Sequence, residues 1–295
     1  MDEDAGDRSG AAPGRPARFD KLLSSPRRVR SNVVSGHHFL RARLKRRAHR
    51  PRIHFLRYAI VAALVVALAS IVFDAPVGAY RNDWPQALLR LGRDMTNFGK
   101  SGWLLVPCGV AILIGYGMDW EIWGKRRRIL VLKWMAVVGY IFFAVAASGL
   151  VTDIVKIFIG RARPEHFHEL GVYAFEPFRG ASFYSFPSGH ATTVGALFAS
   201  LALLFPRLRL GCLVLALWFG CTRILVGAHY PADVTAGLAW GAWFAYFAAM
   251  LFARHGMIFT YDDRGWPIRR SGYRFLRPRR LRWLRRRRPG TGPSR

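Results

Sequence analysis

The chain is poor in acid and in cysteine. Only 17 Asp and Glu stand against 45 Lys and Arg in 295 residues, a formal charge of +28. The three cysteines, Cys108, Cys212 and Cys221, all lie in apolar stretches, so they form neither a disulfide framework nor a metal-ligand spacing. HExxH and Cys pairs are missing, and no carboxylate cluster stands among the apolar blocks. That removes the common hydrolytic metal sites, and no metal or other cofactor is expected. No internal repeat and no long Gly/Ser linker occurs. No secretory signal is visible: the first apolar block starts after residue 57, lacks a small-residue cleavage pattern and reads as a retained span.

What is present is an unusual pairing of apolar content, 52% of residues, with high charge. The two are separated along the chain. Residues 1–57 are polar and basic, as in RARLKRRAHRPR at 41–52, and residues 254–295 are basic again, as in RPRRLRWLRRRR at 277–288. Between them lie apolar blocks at 58–73, 102–118, 129–151, 191–205, 210–221 and 234–252. A membrane helix needs about 20 apolar residues. Several blocks meet that length, while 191–205 and 210–221 are short and, taken singly, could be buried core helices. Together the blocks predict an all-α bundle of six transmembrane helices over 58–253, with a partly disordered basic arm at 1–57 and an Arg-rich tail at 254–295.

Lys and Arg collect on the cytoplasmic side of a membrane. Six spans put the arm, the GKRRR loop at 124–128, the PRLR loop at 206–209 and the tail on that one side. The expected placement is therefore multi-pass in the inner (plasma) membrane with both termini cytoplasmic. The opposite side receives 74–101, 152–190 and 222–233, which hold almost all residues with chemistry to offer. The basic tails also fit nucleic acid, but they flank a membrane core. Anionic lipid attracts such segments by about 1 kcal/mol per basic residue, so anionic lipid is the expected contact and nucleic acid is not.

Three clusters share the less basic side. In KIFIGRARP, 156–164, Lys156 and Arg163 stand seven apart. On a helix that is two turns on one face, with a rise of roughly 10 Å, and Pro164 ends the helix at Arg163. In Pro187-Ser188-Gly189-His190 a turn opens an apolar run, so its backbone N–H groups form an anion-binding helix start. Gly189 allows close approach, Ser188 adds a hydroxyl, and His190 can move a proton near neutral pH. In TRILVGAHYPAD, 222–233, Arg223 ends one block, Pro231 takes the first position of the next helix, and His229 and Asp233 flank that start. An Asp that holds one imidazole nitrogen leaves the other free to attack. Taken alone, each cluster is also a basic collar, a Ser cap or a satisfied interfacial His. Three cations, two histidines and a carboxylate on one membrane face point instead to a phosphoryl site, because charge inside a bilayer is costly.

These motifs resemble those of the type 2 phosphatidic acid phosphatase superfamily, which also contains vanadium haloperoxidases. Its signature is K-x6-RP, PSGH and SR-x5-H-x3-D, in that order. This chain reads Lys156-x6-Arg163-Pro164, Pro187-Ser188-Gly189-His190 and Thr222-Arg223-x5-His229-x3-Asp233, with Thr222 in place of Ser. The resemblance covers roughly 90–250. It implies a metal-independent phosphatase in which His229 is the nucleophile, Asp233 holds it and His190 is the general acid and base. Lys156, Arg163, Ser188, Gly189 and Arg223 would then bind the phosphate. The implied substrate is a phosphorylated lipid, a phosphate or diphosphate, met at the outer (periplasmic) membrane interface. The 165–186 loop is rich in aromatics that suit this interface; His166 and His168 lie in it, better read as solvated than as ligands. A soluble haloperoxidase is disfavoured by six spans. A non-enzymatic membrane transport or lipid-binding protein is the alternative, and it would spread its charges through the bilayer rather than gather them on one face.

Overall fold

The computed structural model describes residues 26–45, 55–81, 83–118 and 124–276. The extreme basic segments at 1–25 and 277–295, and with them much of the expected disorder and leaflet contact, lie outside these residues. The described chain is mainly helical. In order it forms α1 (Pro26–Lys45), α2 (Phe55–Ala79), α3 (Gln86–Thr96), α4 (Gly102–Gly117), α5 (Lys125–Ile159), α6 (Gly189–Leu204), α7 (Arg209–Leu225) and α8 (Pro231–Arg254). A two-stranded antiparallel hairpin follows, β1 (Phe259–Tyr261) with β2 (Pro267–Arg269).

Five helices among the described residues are long and apolar enough to cross a membrane: Phe55–Ala79, Gln86–Gly117, Arg126–Ile159, Pro206–Leu225 and Pro231–Arg254. The expected count was six. The 191–205 block becomes α6, which has only 16 residues, about 24 Å of helix against a hydrocarbon core of about 30 Å. Its position explains its length. Helix α6 is the most enclosed element, with Ala191 to Phe198 all buried. It is finished by a tight turn at Ser188 and, at the other end, by Arg269 of β2, which donates to the Leu204 carbonyl at 2.6 Å. The outer helices carry the lipid-type surface instead: Leu56, Ile71, Leu113 and Leu210 are each more than 70% exposed, and a soluble protein does not display so much contiguous apolar surface.

Helices α6 and α8 form the centre, and small residues set their distance. A Cβ on Gly241 would stand 2.2 Å from the Thr192 carbonyl oxygen, and one on Gly237 would stand 2.5 Å from that of Ser188. Small residues that let backbones touch are the usual means of packing helices in a membrane, where water supplies no hydrophobic drive. Tyr140 of α5 is fully buried beside them and donates to the Ala245 carbonyl at 3.0 Å.

Helix α5 has 35 residues, about 52 Å, so both ends outrun a bilayer. It stops at Ile159, earlier than Pro164 suggests, so Lys156 and Arg163 do not share a helical face. Gly160 adopts φ +60° as a left-handed C-cap. Its backbone presses on the 165–186 loop so closely that a Cβ would lie 2.3 Å from the Glu176 carbonyl. The loop is folded rather than loose. Ala162 donates to Ala174 at 2.9 Å, Glu176 to Gly160 at 2.7 Å and Phe178 to Ile157 at 3.2 Å, stitching it across the end of α5.

The two ends of the bundle differ. At one end α1 donates from Asn32 to the carbonyls of Tyr116 and Met118, Arg43 reaches Gly256, and Lys133 reaches Gly272. At the other end the segments 74–101, 152–190 and 222–233 converge, as described next.

Candidate active site

The stretch Ser188-Gly189-His190 starts α6. Ser188 is its buried N-cap and accepts from the Ala191 amide at 3.4 Å. The Ser188 amide donates to the Asp233 carbonyl at 3.0 Å, which binds the start of α6 to the start of α8. Pro231 is the first residue of α8, so His229 stands just outside the helix and Asp233 in its first turn. The Asp233 carboxylate caps that turn by accepting from the Tyr230 amide at 2.9 Å.

His229 is 4% exposed. Its Nδ1 lies 2.8 Å from the Ser185 carbonyl oxygen and 3.8 Å from Asp233 Oδ2. The carbonyl can only accept, so Nδ1 carries the proton and Nε2 keeps its lone pair. The direct His–Asp hydrogen bond expected from the motif is thus replaced by a relay. The Ser185 carbonyl accepts from Nδ1–H, and the Ser185 hydroxyl donates to Asp233 Oδ2 at 2.6 Å. Burial holds the His229 pKa below the ordinary imidazole value. Asp233 works against that shift, and the charges of Arg223 and Arg163 add to it. A neutral imidazole with a free Nε2 is the form that can act as a nucleophile.

The other site residues surround this group. Lys156 lies in the last turn of α5, paired with Asp153 at 2.5 Å, and its Nζ lies 3.9 Å from where a Gly189 Cβ would stand. Arg163 follows in extended backbone and donates its amide to Ser182 at 2.9 Å. Arg223, in the last turn of α7, donates to the Thr96 hydroxyl at the end of α3. The buried Nε atoms of Arg163 and Arg223 have no hydrogen-bond partner among the described residues. Buried donors are almost always satisfied, so two such guanidinium groups beside one imidazole suit an anion. His190 packs on the turn after α3, where a Gly99 Cβ would be 2.7 Å from its own Cβ. The structure therefore brings Lys156, Arg163, Ser188, Gly189, His190, Arg223, His229 and Asp233 to one end of the bundle. His166 is half-buried with its ring on Phe183, at 5.6 Å between centroids, and His168 is exposed. Among the described residues no group of three His, Cys, Asp or Glu side chains gathers as metal ligands.

Three contributors were not singled out from the sequence. Arg161 is 3% exposed and donates Nη1 to Asp233 Oδ1 at 2.6 Å and Nη2 to Asp74 Oδ2 at 2.8 Å. It also donates to the Val172 carbonyl and lies over the Tyr230 ring at 4.5 Å. Burial opposes the charge on Arg161, but Asp233 and Asp74 together hold its pKa above the ordinary guanidinium value. Asp74 sits in a five-residue π-helical segment of α2, Ser70–Asp74, and its Oδ1 accepts from the Ala232 amide at 2.9 Å. Such segments often mark functional positions. Ser185 is the third. Asp74 had a visible signal, a lone carboxylate closing an apolar block, which is costly in a membrane and needs a partner. Arg161 stands inside the quoted KIFIGRARP stretch but at no motif position.

An apolar groove of about 1050 Å³ runs between α2, α5 and α8, past Ala62, Val66 and Trp243. Its walls include Arg161, Phe186 and Pro187, the segment just before Ser188.

The family model of the PAP2 superfamily matches residues 137–256, the interval that holds every motif residue from Lys156 to Asp233. The chain is 47% identical over 210 residues to a lipid A 1-phosphatase of Rhizobium etli, covering 69% of this chain and 87% of that protein. It is 32% identical over 184 residues to a decaprenylphosphoryl-5-phosphoribose phosphatase of Mycobacterium tuberculosis, covering 61% and 84%. A solved structure, a transmembrane PAP2 type phosphatidylglycerolphosphate phosphatase from Bacillus subtilis, is similar with a TM-score of 0.44 at 20% identity, covering 66% of this chain and 91% of that one. The family model and the curated relatives place the chain among membrane lipid phosphatases of the PAP2 type. The chain belongs to the PAP2 superfamily.

Proposed function

We propose that this protein hydrolyses a phosphate or diphosphate monoester of a lipid, through a phosphohistidine and without a metal. The observation that carries the reading is His229. Its Nδ1 proton is committed to the Ser185 carbonyl, and the unpartnered Nε donors of Arg163 and Arg223 are close enough for their charges to act on it. In this reading Nε2 attacks phosphorus in line and the bond to the leaving oxygen breaks. His190 gives that oxygen its proton. Water then attacks the phosphohistidine, His190 takes a proton from it, and inorganic phosphate leaves with His229 restored. Lys156, Arg163 and Arg223, with the backbone at Ser188 and Gly189, hold the equatorial oxygens. Phosphoryl transfer asks mainly for positioning and charge stabilisation, and these groups offer both.

A lipid substrate is supported by the apolar groove whose wall reaches Arg161 and Phe186, by the aromatic 165–186 loop and by the names of the curated relatives, all of which are lipid-linked phosphatases. We further propose that α6 is the sixth span, short because it is enclosed. The protein then lies in the inner membrane with both termini cytoplasmic and the site at the opposite, periplasmic interface, with anionic lipid against the basic arm and tail. The gathering of α1, Lys133 and β2 at the end away from His229 supports this placement.

The test is phosphate release from lipid A, phosphatidic acid and polyprenyl diphosphate in detergent micelles with chelator present. Release under chelation is expected, and the relative rates rank the substrates. Activity that appears only on adding a divalent ion would remove the metal-free mechanism. No release from any lipid by folded protein would favour a binding or transport protein instead.

A further inference from the structure

Lys100 has no role in the site as described so far, yet its place is well defined. It follows Gly99, where a Cβ would stand 2.8 Å from the His190 ring. The turn that carries it is rigid. The Lys100 amide donates to Asn97 at 3.1 Å, Phe98 stacks on Phe219 with centroids 4.1 Å apart, and the Trp103 indole donates to the Phe98 carbonyl at 2.7 Å. Beyond the turn the Lys100 backbone is extended (φ −69°, ψ 129°) and its side chain is exposed. The Lys100 charge acts on His190, together with those of Arg223, His229 and Lys156. Lys156 is paired with Asp153, whereas Lys100 makes no ion pair among the described residues.

From this placement we infer that Lys100 forms a second anion subsite, on the leaving-group side of the reacting phosphate. It takes a phosphoryl or similar anionic group carried by the departing part of the lipid. The inference rests on the proposed role of His190 as the acid that faces the leaving oxygen. Three cations already serve the equatorial oxygens of the reacting phosphate. A fourth on the acid's side meets whatever charge departs. A plain alkyl or sugar alcohol needs a proton on departure and little else. A leaving group that is itself a phosphate, as in a diphosphate, leaves as an anion and is stabilised by a cation at that point. A lipid with a second phosphate farther along its headgroup presents the same chemistry at greater reach.

The experiment compares the full-length wild type with Lys100→Met and Arg90→Met in detergent micelles. Arg90 lies on α3, is exposed and removes the same unit of charge from the same side. Two matched pairs are used: farnesyl monophosphate with farnesyl diphosphate, and a lipid A with one phosphate with its two-phosphate form. Lys100→Met is expected to lower the preference in kcat/KM for the doubly anionic member by about tenfold, with Arg90→Met leaving that preference within about twofold. A fall confined to the farnesyl pair assigns the subsite to a diphosphate, and one confined to the lipid A pair assigns it to a distal phosphate. An unchanged preference in both pairs, or an equal fall in Arg90→Met, overturns the inference. Wild-type release from the monophosphates separates the two readings. If it occurs and the preference does not respond to Lys100, the subsite falls and the phosphatase reading stands. If the wild type releases phosphate from none of the four lipids, both fall.

Discussion

Arg161 joins Asp233 to Asp74 through opposite nitrogens of one guanidinium, at 2.6 and 2.8 Å. The three side chains come from the segment just past α5, the first turn of α8 and the π-helical segment of α2, and all are buried. One cation therefore neutralises two carboxylates and ties α2 to α8, the helix that follows His229. Removing one member of a buried ion group leaves uncompensated charge, which typically costs about 3–5 kcal/mol.

Arg161→Ala is accordingly expected to destabilise the protein strongly, and Asp74→Asn to do so less, because its side-chain oxygen still accepts from the Ala232 amide. Thermal unfolding in detergent checks both. A midpoint for Arg161→Ala within a degree or two of the wild type would show that the triad does not hold the fold.

His229→Ala is expected to abolish phosphate release, by about a thousandfold or more, with the fold intact. Ser185→Ala separates the two halves of the relay. It keeps the carbonyl that holds His229 and removes one of the two donors to Asp233 Oδ2, the Tyr230 amide remaining, so a partial loss of turnover is expected, about tenfold. Near-normal turnover by folded His229→Ala would refute the nucleophile assignment, and a Ser185→Ala loss equal to that of His229→Ala would refute the relay.

The pH dependence follows from the lowered pKa of His229. Its neutral form is favoured in the folded state, while in the unfolded chain it titrates near the ordinary value of about 6.5. Between the two values the unfolded chain binds more protons. The contribution of His229 to stability is therefore complete above about pH 6.5, and it is lost as pH falls toward the folded-state pKa. His229 stays neutral over the same interval, so in the proposed mechanism the limb of kcat/KM that belongs to it should fall on the acid side of the ordinary imidazole range. Melting temperature against pH for the wild type and His229→Gln is the check: the variant should lose part of the acid-side slope, and parallel curves would mean that His229 is not buried neutral.

Gly241→Leu should be among the most damaging single changes. Its Cβ alone would meet the Thr192 carbonyl at 2.2 Å, backbone that cannot yield. Overpacking usually costs about 1–3 kcal/mol, occasionally more, and here it would push α6 off α8 and move His190 away from His229. Loss of both yield and activity is expected. A stable, fully active Gly241→Leu would mean that the two helices do not touch there.

Much of the site was legible in the chain. Pro231 marks a helix start, so His229 and Asp233 read correctly as the residue before it and the carboxylate within it. The Ser188 cap followed from a polar turn opening an apolar run. The end of α5 was misjudged because Gly160, in a left-handed conformation under the 165–186 loop, stops the helix before Pro164 does. Nothing near Gly160 in sequence announces that loop's return.

The apolar blocks, the asymmetry of charge between the two ends and the identity of the motif residues can be read from the chain directly. Those features depend on local periodicity and on the cost of placing charge in lipid, both of which are written residue by residue. Only the folded chain shows that Arg161 serves two carboxylates, that the Ser185 carbonyl rather than Asp233 accepts from His229 Nδ1–H, and that Thr96 and Gly99 back Arg223 and His190. Asp74 and Arg161 are 87 positions apart. Their pairing follows from the packing of α2 against α8 and from a buried charge having to find its partner in the space that packing leaves.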